Sequence, residues 1–585
     1  MELIEHKQLV RLGSMANESK SVVVLSTSFN PEEKLESVRP ARYQLSPDSI
    51  NLIEECVRTL RFGGLFFVYG LPHQLAFWGE RLSKYQDDKA QMLFKYWISL
   101  DIDKTSRKDT LEPSSLGLLM FLKSKLGSKS PTPFHLNTST VRVPHVYCSA
   151  CNLNVKDWGG KKHLMNPNGT SLSDVWRDLP KVQIQNNAIP DLVLQRILSL
   201  TEQDGADCMH VVQDSPGVCV APSPSLASVE QTNSAEEWKD LTSVELNRVY
   251  QGDCVTFSER LAVLYPDGLF DLAFADPPYN LKKNYDKYED ALAEQHYIEW
   301  CNQWLAGMAK TLKPGGSLFV LNLPKWAIHH AAYLSQHLEF RHWITWDALS
   351  DPRGKLMPAH YALLYYTKPG TQPTFNYSSK EEDRSEHIVS PPDSPQYCLR
   401  ATCLKKRKKL GDDKKVELSD VWFDIHRIKH KRDRDAHPCQ LPEKLMERII
   451  LLTTNRGDLV FDPFCGAGTT ALAATKLSRN FITIDLDSNY VRITEEKLAA
   501  MRQHTNLFGI VDLPRQSIRK VKAVASKKEI EIYLQGLAQK LGKEPSEQDI
   551  ELDNEEMLQK IDLIYPSRLA AIKKCRVALR GLPAI

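Results

Sequence analysis

Residues Leu269 to Leu281 read LFDLAFADPPYNL. An apolar run of strand length ends in an acid, two prolines and an aromatic, so a buried strand is expected with its chemistry at the C-terminal end. Two consecutive prolines hold the backbone open and lack N–H groups, which leaves neighbouring carbonyls free to accept hydrogen bonds. The Asp276 carboxylate and the Pro277 carbonyl are suited to accept the two N–H groups of an exocyclic amine and to align its lone pair for in-line attack, with Pro278 fixing the turn and Tyr279 offering a stacking face. The bland alternative is a strand followed by a plain Pro-Pro turn.

A second stretch, Leu459 to Thr470, reads LVFDPFCGAGTT and runs into ALAATKLSRN and then FITIDLD. This is strand, glycine-rich turn, helix and strand. Gly466 and Gly468 let a ligand approach the backbone at the C-terminal ends of strands in an open α/β sheet, and the helix N-terminus suits a carboxylate. Asp485 falls at the end of the next strand, where an acid can accept ribose hydroxyls. A lone GxG is weak, but this ordered set is specific.

Together the two stretches resemble the DPPY and FxGxG motifs of the nucleic-acid amino-methyltransferases, and their order, DPPY first, resembles the β class. Gly252-Asp253 is similar to the short motif that approaches the cofactor's adenine. KPGGSLFVLN at Lys313 to Asn322 is similar to the family's next helix-turn-strand, and His437 to Pro442, HPCQLP, to its HPxQKP segment, with Leu441 in place of the usual lysine. The resemblance implies methyl transfer from S-adenosylmethionine to an amino nitrogen, without a metal or a covalent intermediate, so that proximity and orientation carry most of the barrier reduction. It implies Asp276, Pro277, Pro278 and Tyr279 as catalytic residues. It implies Asp253, Gln440, Asp462, Phe464, Gly466, Gly468, Thr469 and Asp485 around the cofactor. Aspartate rather than serine at position 276 favours adenine N6 over cytosine N4 in the family's usual pattern, and the target base is flipped out of a DNA duplex to reach the site.

This class keeps target recognition between the two motifs, here an insert at about 343–434. It holds the densest cations of the chain, Lys405, Lys406, Arg407, Lys408 and Lys409, then Arg427, Lys429, Arg432 and Arg434, mixed with Tyr397, Trp422 and His426. That mixture suits phosphate contact and base-edge readout, although such runs are often just solvated loops.

The first half repeats the second. FGGLFFVYGLP at Phe62 to Pro72 aligns without gaps on PGGSLFVLNLP at Pro314 to Pro324. FKYWISLD at Phe94 matches FRHWITWD at Phe340, LSDVWRDL at Leu172 matches LSDVWFDI at Leu418, and PDLVLQRILSLT at Pro190 matches PEKLMERIILLT at Pro442. In register with ADPPYN the first half has LSTSFN, with Ser26 for the acid, and opposite FDPFCGAGTT it has MHVVQDSPGV, without the GxG. The expected fold is α/β, two Rossmann-like methyltransferase folds in tandem with the N-terminal one degenerate, plus a small α-helical C-terminal region. The boundaries are 1–215 for the degenerate domain, 216–243 for a Pro/Ser-rich linker, 244–505 for the active domain and 506–585 for a basic linker and helices. The degenerate copy would form an internal pseudo-dimer, with Lys161 and Lys162 in a glycine-rich loop meeting phosphate; retention for stability alone is the rival. A homodimer is a further possibility for this class.

The 585 residues are 42% hydrophobic and 25% charged with a net charge of +2, so any polyanion must be met by local patches rather than by the whole-protein field. No apolar run approaches the roughly 18 to 20 residues of a membrane span, no signal peptide is evident, and a cytoplasmic protein is expected. The 12 cysteines lack the spacing of a disulfide framework. Cys148-x2-Cys151 lies opposite Cys398-x4-Cys403, and four thiols from two related lobes can make a zinc site, but a single CxxC is usually two unconnected thiols; no metal is expected. The rivals are a cytosine N4 methyltransferase, an RNA base methyltransferase and, in another class, a non-catalytic nucleic-acid-binding protein. A cognate restriction enzyme is a partner implied by the family.

Overall fold

Two open sheets carry the fold, one in each half of the chain. The computed structural model describes residues 2–5, 12–29, 40–102, 111, 113–127, 132–155, 163, 165–179, 188–203, 205–220, 238–282, 290–348, 355–376, 389–390, 398, 400–409, 416–427 and 441–503, with scattered positions from 530 to 561. The first sheet is built from β1 (Glu2–Glu5), β2 (Lys20–Ser26), β3 (Leu60–Gly70), β4 (Ala90–Asp101), β5 (Ser115–Lys125), β6 (Val175–Trp176) and β7 (Cys208–Val212), in the order β1-β7-β2-β3-β5-β4-β6. The second is built from β8 (Arg248–Gln251), β9 (Phe270–Ala275), β10 (Leu312–Asn322), β11 (Glu339–Asp347), β12 (His360–Thr367), β13 (Val421–Trp422), β14 (Leu459–Asp462) and β15 (Asn480–Asp485), in the order β8-β15-β14-β9-β10-β12-β11-β13.

The central strands explain themselves chemically. β2 and β9 are buried along nearly their whole length, VVVL in one and FDLAFA in the other, and both lie between parallel neighbours. Strands covered on both faces read as unbroken apolar runs, because helices pack on each side of a parallel sheet. β5 and β12 turn antiparallel against β3 and β10. The helices after β3 and β10, Pro72–Ser83 and Pro324–Leu334, each start with proline, which suits a first turn whose N–H has no intrahelical partner anyway.

The sequence matches fall on equivalent elements. The first covers β3 and β10, the second β4 and β11, the third β6 and β13, and the fourth helices Asp191–Thr201 and Glu443–Thr453. Both LSDVW segments tie the tryptophan Nε1 to a serine carbonyl, Trp176 to Ser173 and Trp422 to Ser419. Arg196 pairs with Asp178 as Arg448 pairs with Asp424.

Residues Met1–Leu498 form one compact unit and Ala499–Ile585 another. Within the first unit the halves share a hydrophobic core, and they meet through residues at matching positions. Trp97 stacks on Trp343 at 3.8 Å with the rings 5° from parallel. Ser99 and Thr345 join by their hydroxyls at 3.0 Å. The Asp420 carboxylate accepts the Ser114 N–H at 2.9 Å, while the Asp174 carboxylate accepts the Ala359 N–H at 2.8 Å. In the second unit, Ile530, Leu534 and Leu537 recur at helical spacing and are buried with Ile550 and Ile561.

Two expected boundaries change. Strands β12 and β13 and the second half of β11 lie within the 343–434 insert, and Trp343, Ile344, Leu363 and Leu364 are buried core. Apolar runs that complete a sheet cannot serve as a solvent-facing reader, so the excursion proper narrows to the stretch between β12 and β13. The linker also starts later, because Val218–Val220 pairs antiparallel with Tyr43–Leu45.

Candidate active site

The DPPY turn begins where β9 ends, in the middle of the second sheet. β9 has β14 on one side and β10 on the other, and this reversal in strand order opens a crevice at the carboxyl ends. The turn is braced from behind. Tyr297 donates its hydroxyl to the Pro278 carbonyl at 2.6 Å and Trp326 donates Nε1 to the Tyr279 carbonyl at 2.9 Å. Asn322 in turn holds the Tyr297 hydroxyl at 3.2 Å. The Tyr297 and Trp326 bonds occupy the Pro278 and Tyr279 carbonyls, and Pro277 lines a cavity. The Tyr279 hydroxyl donates to Asp276 Oδ1 at 2.5 Å, which fixes the carboxylate beside it.

The GxG turn follows β14. Gly466 and Gly468 take φ of +49° and +80°, the left-handed region that side chains other than glycine's resist. A Cβ on Gly468 would also lie 2.6 Å from Thr494 Cγ2. Asp462 closes the turn from inside, accepting the Phe464 N–H at 2.9 Å and the Thr470 hydroxyl. Asp485, at the end of β15, accepts the Gly466 N–H at 2.7 Å and the Asp487 N–H at 2.9 Å. Burial pushes Asp485 up to about 6 and Asp462 up to about 7, because the low-dielectric site disfavours the charged form. Asp253 caps helix Cys254–Leu264, accepting the N–H groups of Val255 and Thr256 at 3.0 Å each.

A single cavity joins these parts. Asp253, Asp276, Pro277, Pro278, Tyr279, Asp462, Phe464, Gly466, Thr469 and Asp485 line it together. The structure thus gathers the sequence-predicted residues from four strand ends, apart from Gly468, which lies one residue off the wall, and Gln440, which is outside the described residues. Sequence reasoning missed Trp300, Asp487 and Tyr490, which also line the cavity. Trp300 meets Phe464 edge-on at 5.8 Å from a helix that carries no motif. Asp487 carried a signal, a second acid two residues after Asp485. Leu441, in the position of the family's lysine, lines the cavity as an apolar wall.

The basic residues divide. Helix Ala401–Lys409 carries Lys405, Lys406, Lys408 and Lys409 exposed. Arg407 is a correction: it is fully buried and its guanidinium donates to the Cys398 carbonyl at 3.3 Å, so it has no face for a phosphate. Arg427 is half-buried. Lys161, Lys162, Lys429, Arg432 and Arg434 lie outside the described residues. The cysteine pairs, expected to be unconnected, meet: the sulfurs of Cys148, Cys151, Cys398 and Cys403 all lie within 4.8 Å of one another.

At the equivalent place in the first half the groove is filled by its own side chains. The register of β2 on β3 puts Ser26 where Asp276 follows β9 on β10. Ser26 is buried, bonds His210 Nε2 at 2.9 Å and accepts the Ile189 N–H at 3.0 Å. Gln213 accepts the Ser28 N–H at 3.2 Å and donates to the Ser49 hydroxyl at 2.8 Å.

Comparison with known proteins agrees with this geometry. Residues 270–496 match the DNA methylase family N6_N4_Mtase. The chain is 35% identical over 292 residues to the type II methyltransferase M.BamHI of Bacillus amyloliquefaciens, a match covering 48% of this chain and 64% of that protein. It is 30% identical over 259 residues to the type II methyltransferase M1.MboII of Moraxella bovis, covering 42% of this chain and 95% of that protein. It is 29% identical over 260 residues to the DNA adenine methyltransferase YhdJ of Escherichia coli, covering 43% and 83%. The chain belongs to the DNA amino-methyltransferase family.

Proposed function

We propose that this chain transfers a methyl group from S-adenosylmethionine to N6 of adenine in DNA, using the second sheet as the active half. The observation that carries the reading is the cavity that joins the DPPY turn to the GxG turn and Asp485. S-adenosylmethionine supplies an activated methyl carbon on sulfur; transfer breaks that C–S bond, leaving its electron pair on sulfur, as the N–C bond forms, and the amine gives up one proton, which the Asp276 carboxylate is placed to accept. The protein's work is placement. Asp485 accepts the ribose hydroxyls, and the glycines allow close backbone approach. Asp276 and the Pro277 carbonyl accept both N–H groups of the target amine, turning its lone pair toward the incoming carbon. Fixing the two reactants in line in this way lowers the barrier without a metal. Tyr279 offers a stacking face for a flipped base, offsetting the few kcal/mol that unstacking costs.

Adenine is favoured over cytosine by the aspartate at position 276, and a DNA adenine methyltransferase is among the relatives. The first half is read as a degenerate copy of the same fold, forming an internal pseudo-dimer with the active half. Its support is the shared order of six strands and the contacts between equivalent residues. The exposed lysines of helix Ala401–Lys409 fit a DNA backbone contact. Two of the relatives are named type II methyltransferases, and we extend to this chain a role beside a cognate restriction enzyme.

The test is methyl transfer from labelled S-adenosylmethionine to DNA and to RNA, followed by nucleoside analysis. N6-methyladenine in DNA is the expected product. N4-methylcytosine or label in RNA selects one of the rival enzymes, and absence of both cofactor binding and transfer selects a non-catalytic binding protein.

A further inference from the structure

We propose that Cys148, Cys151, Cys398 and Cys403 bind one zinc ion as four thiolates, cross-linking the two halves of the chain. Cys148 Sγ lies 3.6 Å from Cys403 Sγ, and Cys151 Sγ lies 3.6 Å from Cys398 Sγ. A tetrahedral Zn–S distance of about 2.3 Å gives sulfur–sulfur edges of about 3.8 Å, so the cluster already has nearly the size of the coordination shell. It is much too open for disulfides, whose sulfurs sit about 2.05 Å apart. All-sulfur tetrahedral sites select zinc or iron, and redox-inert zinc suits a structural link.

The local fold prepares the ligands. Cys148 and Cys151 sit on a tight hairpin turn in which the Cys148 N–H reaches the Leu153 carbonyl at 2.8 Å and the Asn152 N–H returns to the Cys148 carbonyl at 2.7 Å. Asn152 takes φ +54° to close it. That turn puts both sulfurs on one side. Cys403 projects from the first turn of helix Ala401–Lys409, and Arg407, one turn later on the same face, is buried beside the cluster. Four thiolates around a divalent cation carry two net negative charges, and a buried guanidinium offsets part of that. Lys406 adds a bond to the Ala150 carbonyl at 3.1 Å, tying the helix to the hairpin.

Packing alone is a poor explanation for this contact. Among the described residues, the apolar cluster here contains three buried cysteines with only Ala150, Cys151 and Val155 against it, separate from the large cores. So small a core stabilises little, and small units of this kind are usually held by a metal or a disulfide. Both pairs arise in the same interval of their halves, between β5 and β6 and between β12 and β13. The ion would join the two equivalent excursions and hold the lysine-rich helix against the first half.

The test is metal analysis of the full chain, purified without chelator. About one zinc per chain is expected, with all four thiols shielded from a thiol reagent until a chelator is added. Cobalt replacement should give the intense thiolate charge-transfer absorption of a tetrahedral sulfur site. Cys148→Ser and Cys403→Ser should each lose most of the zinc. Should either fail to fold, Cys151→His, which keeps a four-ligand zinc set, should retain the metal and the fold. Four reactive thiols with no metal, two disulfides, or iron in place of zinc would each overturn the proposal. Metal content is read without any methyl transfer, so this result and the proposed activity fail independently.

Discussion

The two halves of this chain place six strands in the same order and use the central crevice differently. In the second half, β9 runs into Asp276 and a proline turn that line a cavity. In the first, β2 ends in Ser26, whose hydroxyl is bound to His210 and to the Ile189 N–H. A buried polar group with its partners inside the protein stabilises the fold and offers nothing to a ligand. The contrast teaches that a sheet of this kind leaves a crevice by topology, and that the residues at the strand ends decide whether it is filled by the chain or left for a substrate.

The largest test of that contrast is one substitution in each half. Asp276→Ala removes the proposed amine acceptor and should lower the methyl-transfer rate by about a thousandfold or more, a loss of roughly 4 kcal/mol in the transition state, with cofactor binding kept. Ser26→Ala at the matching register should leave the rate unchanged. It should instead cost about 1–3 kcal/mol of stability, because the Ile189 N–H and His210 lose a buried partner. Rate assays and urea unfolding of the two variants read this directly; a rate loss in Ser26→Ala would break the comparison.

A second test addresses the pairing of the halves. Trp97 and Trp343 stack on each other, so truncating either to alanine should cost about 3–5 kcal/mol. The double variant should cost less than the sum, since both singles remove one shared stack. Strict additivity in denaturant titrations would mean that the halves are not coupled there.

The glycines give a smaller effect. Gly468→Ala meets both a left-handed φ and the Thr494 side chain, and cofactor affinity should fall about tenfold, near 1.4 kcal/mol. Gly217→Ala in the first half also crowds its neighbours, at 2.8 Å from Gln213 Oε1. It should lower the melting temperature and leave cofactor titrations unchanged.

Much of this was legible in the sequence because it depends on local order. DPPY after an apolar strand and GxG between strand and helix define their own surroundings, and the four repeat matches each fell on equivalent elements. What escaped was whatever depends on distant chain. Arg407 is buried on a helix that meets a cysteine hairpin about 250 residues away in sequence and donates to the Cys398 carbonyl, a placement that a run of five cations does not reveal. Trp300 reaches the cavity from a helix without a motif, and its packing among Tyr297, Trp304 and Phe464 places it there. The 343–434 insert is too wide an expectation because the apolar run at Trp343 belongs to the sheet and not to the charged stretch beyond β12.

The finest test uses pH, because equivalent positions carry groups of opposite sign. The pairing of β7 on β2 and of β14 on β9 puts His210 where the second half has Asp462. Burial pushes Asp462 up to about 7 and His210 down to about 4. For Asp462 the folded state holds the proton more tightly than the unfolded chain. Its contribution is therefore full below about pH 4 and is lost as pH rises through 7. For His210 the folded state rejects the proton, so its contribution is full above about pH 6.5 and is lost as pH falls toward 4. The two slopes oppose each other and partly cancel between pH 4 and 6.5. Asp462→Asn should uncover a steeper rise of stability with pH, and His210→Gln, which keeps a hydrogen bond to Ser26, should uncover a fall, each changing the profile by at most about 4 kcal/mol. Melting temperatures from pH 4 to 8 measure both. If the two variants shift the profile in the same direction, the reading of one crevice as filled and neutral and the other as open and acidic does not hold.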